Sequence, residues 1–264
     1  MNILALDSSA KPASVAVLTD GKLMGQYFQN SGLTHSRTLL VMTEDLLKNL
    51  ELKIADFDLI AVSNGPGSFT GVRIGVSAVK GMAWGANKPV CAISTLEAMA
   101  YQIQEPEVLI CAVMDARRDQ VYNALFEWQN GNLIRHCADR AIALEDLAVE
   151  LRNRNAVVSS SKLHPLESQS LNTDTEHPAK TVPKILLIGD GAELTYNYLI
   201  EAGIPCCLSA ALLRYQTAFG VALAARNAQP ISATDLNPGY LRPSQAERER
   251  KERTRSHENK SSNS

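Results

Sequence analysis

One pattern occurs twice in this chain, a little over a hundred residues apart, and it limits the fold more than any other feature. The apolar run Asn2 to Asp7 ends at an aspartate before a polar turn, Ser8 to Pro12. Ser14 to Leu18 then reads as a second strand, Asp20-Gly21 as a tight turn, and Leu23 to Phe28 as a third strand. The order restarts with Val108 to Asp115, a turn at Arg117 to Asp119, Val121 to Trp128, Asn130-Gly131, and Leu133 to His136. Asp-Gly or Asn-Gly between alternating apolar runs is the strongest short-range hairpin signal, because both turn residues must take positive φ. Asp7 and Asp115 therefore stand at matching places in two copies of one motif.

Each copy continues into helices interleaved with strands. In the first, Leu39, Leu40, Leu46, Leu47 and Leu50 recur at helical spacing and predict a helix over 34–50. A buried-type strand at 58–63, a Gly/Pro loop at 64–70, a small-residue helix from about 71 to 86 and a strand at 90–93 follow. Ser94-Thr-Leu-Glu97 has the spacing of a helix-opening capping box. In the second, helices are expected at 144–152, 193–202 and 210–227, with strands at 156–159 and 184–188. The expectation is an α/β protein of two duplicated RNase H-like domains facing a cleft, the layout of the actin, sugar-kinase and heat-shock ATPase superfamily. Residues 1–105 would form the first domain and 106–241 the second, with a polar insertion at about 160–181 that has no periodicity.

Composition bears on what such a chain binds. With 26 Lys and Arg against 28 Asp and Glu, the net charge of −2 lacks the basic excess of a free-standing nucleic-acid binder. Residues 242–264 carry seven Lys/Arg and four Glu with no large apolar residue, and read as a charged, partly disordered tail. No apolar run approaches the ~20 residues of a membrane span, and the amino terminus shows no secretory pattern, so a cytoplasmic protein without membrane contact is expected. The five cysteines include no C-x-x-C pair; Cys91 and Cys111 sit in strand-like runs as small buried hydrophobes, and Cys206 and Cys207 would point to opposite faces of a strand.

Candidate chemistry is sparse. Gly65-Pro66-Gly67-Ser68-Phe69-Thr70-Gly71 feeds a helix N-terminus, where free N–H groups suit a phosphate. The same residues equally suit a tight strand-to-helix turn with Ser68 or Thr70 as N-cap. Asp7 with Ser8 and Ser9 fits either a metal/phosphate turn or a local capping role. Gly71 and Gly75, then Gly81 and Gly85, each cost about 1 kcal/mol of helix stability relative to Ala, so something must pack close to that helix. The five histidines form no H-x-x-x-H or H-E-x-x-H pair, and His35 reads as a surface or helix-start residue. No catalytic constellation emerges from spacing.

The wording of four segments is more specific. Residues 3–9 (ILALDSS), 63–85 (SNGPGSFTGVRIGVSAVKGMAWG), 115–122 (DARRDQVY) and 240–249 (YLRPSQAERE) closely resemble the bacterial TsaB family, formerly YeaZ. The similarity covers most of 1–159 and 184–249. It implies a non-catalytic scaffold or activator in threonylcarbamoyladenosine formation, at the adenosine next to the anticodon of tRNAs that read A-starting codons. The catalytic paralogue, TsaD, would carry out the transfer, and a small ATPase, TsaE, would complete the set. Metal and ATP would then belong to the partners, with no cofactor on this chain and tRNA contacted indirectly.

In the catalytic paralogue an H-x-x-x-H metal pair follows the Gly-Pro-Gly helix; here Thr95 and Met99 take those places, a poor donor set for a metal. Pairing with TsaD, and self-association, would use the two N-terminal-domain helices. The residues expected at that interface are Leu39, Leu46 and Leu47 on one helix and Val72, Gly75, Val76 and Val79 on the other. The alternative is an ATP-binding enzyme of the actin-like superfamily using Asp7 and the Gly65–Gly71 loop, of which Asp7, Ser8, Ser9, Gly65 and Gly67 would otherwise be a vestigial nucleotide site.

Overall fold

A computed structural model describes residues 1–105, 108–160 and 185–242, the side chains of 155–160 excepted. The polar insertion beyond Ser160 and the tail beyond Arg242 lie outside the described residues.

The first repeat forms β1 (Asn2–Asp7), β2 (Ala13–Thr19) and β3 (Lys22–Gln29), followed by α1 (His35–Asn49), β4 (Leu59–Gly65), α2 (Phe69–Ala86), β5 (Val90–Ser94) and α3 (Thr95–Tyr101). The second forms β6 (Leu109–Asp115), β7 (Gln120–Gln129), β8 (Asn132–Arg135), β9 (Arg140–Ala143), α4 (Leu144–Ser160), β10 (Ile185–Ile188), α5 (Ala192–Glu201), β11 (Cys207–Leu208) and α6 (Ala218–Ala225). The sheets have orders β3-β2-β1-β4-β5 and β11-β10-β6-β7-β8, with β9 paired to β7. Exchanging β1 to β5 for β6, β7, β8, β10 and β11 superposes one order on the other. In both, the opening hairpin is antiparallel and the strand that follows the first long helix joins the opening strand in parallel.

Both central strands are buried on each face, so they need a helical layer on either side. α1 and α2 cover one face of the first sheet, where Leu39, Leu46, Val72 and Val79 meet Leu4, Val15 and Val62. α6 covers its other face, although it comes from the end of the second repeat. α3 in turn packs on the second sheet, through Leu96, Met99 and Ala100 against Ile110, Ala112 and Phe126. The two helices lie against each other between the sheets, closely enough that a Cβ on Gly220 would strike the Ala98 carbonyl. α4 and α5 close the far side around Leu147, Leu151 and Leu199. This exchange of helices ties the sheets into one body.

The structure departs from the sequence reading at four places. Residues 156–159 are not a strand but the last turn of α4. The helix expected over 210–227 is a 3₁₀ turn at Ala211–Leu213 and, after a break, α6. β9 and β11 were not anticipated; both are short, and Cys207, but not Cys206, lies in β11. α2 begins two residues before Gly71, because Ser68 caps it by accepting a hydrogen bond from Gly71 N. Ser94 caps α3 in the same way through Glu97 N, as the capping box predicts. All five cysteines are free.

Candidate functional site

The carboxyl ends of β1, β4 and β5 meet at one corner of the first sheet, and Asp7 sits at its centre with 1% exposure. Its Oδ1 accepts from Ser9 N at 2.8 Å and from Ser9 Oγ at 2.7 Å, and its Oδ2 from Ser63 Oγ at 2.5 Å. Burial pushes the carboxyl pKa above the usual carboxylate range, while the three donors and the charge of His35 oppose the rise. Ser8 Oγ donates to Gly71 O at 2.9 Å, tying the turn to α2. His35 closes the other side, its Nε2 2.7 Å from Ala10 O. Sequence reasoning set His35 aside; its position at the start of α1, opposite the Ser8–Ala10 turn, was the available signal.

The Gly-Pro-Gly loop packs onto this turn rather than standing away from it. Ser68 N donates to Ser9 O at 2.6 Å. Gly65 and Gly67 have φ of 123° and 157°, and a Cβ on either would collide with a carbonyl oxygen, Gly239 O and Ser9 O respectively. Only glycine fits both demands. The five residues read as a phosphate corner are therefore together in space, but their polar atoms are largely satisfied by one another. Asp7 has one lone-pair direction left, and the loop backbone is approached from both sides by the chain itself.

The second repeat offers a more open counterpart. Asp115 ends β6, its Oδ1 accepting from Arg117 N at 2.7 Å, and Arg117, Arg118 and Asp119 all have positive φ. Asp190, on the turn after β10, keeps a solvent-exposed face while its carboxyl is crowded by protein. Its pKa is pushed up to about 6, first by desolvation and then by the charges of Asp115 and, more weakly, Asp7, against opposing backbone hydrogen bonds. Asp190 thus feels the charge of Asp115 beside it and, more weakly, that of Asp7 on the first repeat. Among the described residues no group of three or more His, Cys, Asp or Glu has the arrangement to hold a metal ion. Thr95 and Met99 are both fully buried. The Met99 methyl packs beneath Gly189, and one thioether with one hydroxyl does not make a metal site.

A strap from the carboxyl-terminal part of the chain spans the two turns. Gly239 N donates to Asn64 O at 2.6 Å, and Tyr240 stacks on Phe69 with centroids 4.2 Å apart. Arg73 lies 4.0 Å over the Phe69 ring and donates from Nε to Tyr240 Oη at 2.7 Å. Arg242 reaches the second repeat, donating to Ala116 O at 3.0 Å.

The expected partner residues require correction. Leu39, Leu46, Leu47, Val72, Val76 and Val79 are buried in the chain's own core, and Gly75 lies against Ser8 and Val62. These side chains pack the helices onto the sheet. The outer faces of the same helices carry Leu40, Val41 and Trp84, which are 52%, 55% and 79% exposed. A Cβ at Gly81 or Gly85 would meet nothing within 4 Å. Beside Trp84 a concavity of about 320 Å³ is lined by Asn87, Lys88, Pro89, Pro230 and Ile231.

With this geometry in view, comparison with known proteins fixes first the class and then the family. The family model described as TsaD: tRNA N6-adenosine threonylcarbamoyltransferase matches residues 29–221, well over half of the chain, which makes it a protein of the threonylcarbamoyltransferase-related class. Two solved structures share the fold across 91% of this chain and 99% of theirs: YeaZ from Pseudomonas aeruginosa, 26% identical with a TM-score of 0.65, and an uncharacterized protein with similarity to peptidase YEAZ from Pseudomonas aeruginosa, 27% identical with a TM-score of 0.67. The tRNA threonylcarbamoyladenosine biosynthesis protein TsaB of Bacillus subtilis is 34% identical over 60% of this chain and 69% of its own length. The Escherichia coli protein of that name is 36% identical over 48% of this chain and 55% of its own, so there the match spans about half of the relative. The chain belongs to the TsaB family, also called YeaZ.

Proposed function

We propose that this chain is the scaffold subunit of a tRNA threonylcarbamoyladenosine-forming complex, without a catalytic centre of its own. The observation that carries the reading is the self-occupied Asp7 corner: three of its acceptor directions are taken by Ser9 and Ser63 and the loop glycines lie against carbonyls of the chain, so the residues that would grip a phosphate are used to hold the fold. The catalytic step, threonylcarbamoyl transfer to the adenosine next to the anticodon in tRNAs reading A-starting codons, falls to a TsaD-type paralogue, assisted by a TsaE-type ATPase. Metal and ATP are theirs, and tRNA reaches this chain through the complex, in the cytoplasm. The matching strand orders support two duplicated actin-like domains, 1–105 and 106–241.

The partner-facing surface is the outer side of α1 and α2, around Leu40, Val41, Gly81 and Trp84. Exposed apolar residues beside open glycines are what a closely packed helix pair requires. The TsaD-type paralogue docks there, and a second copy of this chain competes for the same face. Nucleotide titration of the isolated chain tests the reading against an ATP-binding enzyme. The scaffold reading expects no saturable ATP binding in the micromolar range. Micromolar binding with turnover abolished by Asp7→Ala would overturn it.

A further inference from the structure

We propose that Arg73 is a pre-set anchor on the open face of α2, oriented by the carboxyl-terminal strap to take one carboxylate of a protein docked there. The idea rests on the reading of that face as a partner surface and adds the chemistry of its polar contact.

Three features at this position act together. Arg73 is exposed on α2, on the same side of the helix as Ser77, Gly81 and Trp84, and near the helix N-terminus. Its guanidinium is not free to wander: the Phe69 ring lies 4.0 Å beneath it, and Nε donates to Tyr240 Oη, a residue 167 positions away in sequence. Tyr240 is itself fixed by stacking on Phe69 and by the Gly239–Asn64 hydrogen bond. Both Nη groups, which carry most of the donors, have no acceptor among the described residues, and Arg73 is in none of their salt bridges.

A guanidinium with Nε occupied and the Nη pair open presents a planar fork matched to an oxyanion. Holding the fork in place beforehand removes much of the entropy that a long side chain loses on binding, and arginine is among the residue types enriched at interface positions with large effects. The α2 N-terminus adds its positive dipole end to the preference for an anion. The surroundings favour a protein carboxylate over a nucleic-acid backbone. Along the same side of the helix from Arg73 stand Ser77, Gly81 and the exposed Trp84, the character of an interface with an aromatic at its core and one charge at its rim.

The test is titration of the catalytic paralogue from the same organism onto this chain and four variants, each first checked for an unchanged unfolding temperature. Arg73→Ala should weaken binding ten- to a hundred-fold and make the remaining affinity less dependent on salt. Arg73→Lys should recover little of the loss, since an ammonium has no fork. Tyr240→Phe keeps the stack but frees Nε, and should cost three- to ten-fold. Val41→Asp tests the face itself and should abolish binding. If Val41→Asp abolishes binding while Arg73→Ala does not weaken it, the anchor is wrong and the face survives. If neither variant weakens binding, the partner surface lies elsewhere. If Arg73→Ala spares the paralogue but lowers retention of tRNA by the complex, the fork grips a phosphate and the carboxylate assignment is overturned.

Discussion

Replacing Asp7 with alanine and with asparagine separates a structural carboxylate from a chemical one. In the alanine variant three buried donors, Ser9 N, Ser9 Oγ and Ser63 Oγ, lose their acceptor together. Each unsatisfied buried donor costs about 1–3 kcal/mol. The two hydroxyls can turn toward other carbonyls and the backbone N–H cannot, so the sum should be about 3–5 kcal/mol. For a chain of this size that is a fall in Tm of about 6–20 °C, at about 2–4 °C per kcal/mol. Asparagine has the same shape. Its Oδ1 retains both Ser9 contacts, Ser63 Oγ can reverse its role and accept from Nδ2, and a buried negative charge is removed. Its cost should lie within about 1 kcal/mol of zero. Urea unfolding of the three proteins, with the complex's tRNA-modifying activity measured beside it, is the assay. Activity should follow stability, so the asparagine variant works nearly normally at a temperature where it is folded. A folded asparagine variant that supports no activity would refute the structural assignment. So would an alanine variant as stable as the parent.

Further outcomes follow from the same geometry. Asp190 has a folded-state pKa of about 6 against an ordinary 3.8, so it binds its proton more tightly folded than unfolded. Its contribution favours folding below about pH 4 and is lost as pH rises through 6. Asp190→Asn should remove that slope from a pH series of unfolding midpoints and stabilise the chain at pH 7 by about 1 kcal/mol, the exposed face of the residue screening the rest. A stability profile identical to the parent's from pH 4 to 7 would contradict it. Gly75→Leu forces a side chain onto Ser8 Oγ and Val62 and should lower Tm by more than about 5 °C in the isolated chain. Gly81→Leu meets open space, and should leave Tm within about 2 °C while weakening partner binding; the reverse pattern in thermal melts and titrations would put the wrong glycine at the interface. Trp84→Ala should likewise leave folding intact and abolish a blue shift in tryptophan fluorescence on adding the paralogue, since Trp84 is 79% exposed.

The architecture was legible where local chemistry is strong. Asp20-Gly21 and Asn130-Gly131 mark both hairpins, and the repeat of strand, aspartate and turn corresponds to the two sheets. Elements of two to four residues, β9 and β11, have too few positions for a period to register. Val157 and Val158 drew a strand onto a helix end because β-branched pairs favour strands when the tertiary setting is unknown. That the residues expected at the partner interface are buried in the core has a more general reason. Helical periodicity finds the apolar stripe that faces the core, so Leu39, Leu46, Val72 and Val79 were the residues it had to select. An outward face shows only as apolar residues outside that stripe, here the exposed Leu40, Val41 and Trp84 of the proposed partner surface. The strap escaped notice because its contacts join Arg73 to Tyr240 and Asn64 to Gly239, far apart in sequence and without a local signature. The TsaB-like wording of the Gly-Pro-Gly segment identified the family more firmly than any physical pattern did.

The scaffold account rests most directly on reconstituted tRNA threonylcarbamoylation, using the TsaD-type and TsaE-type proteins of the same organism with and without this chain, beside this chain alone. The account predicts no modified tRNA from this chain alone and strong dependence of the others on its presence. Modification by this chain alone, or full activity of the others in its absence, would contradict it.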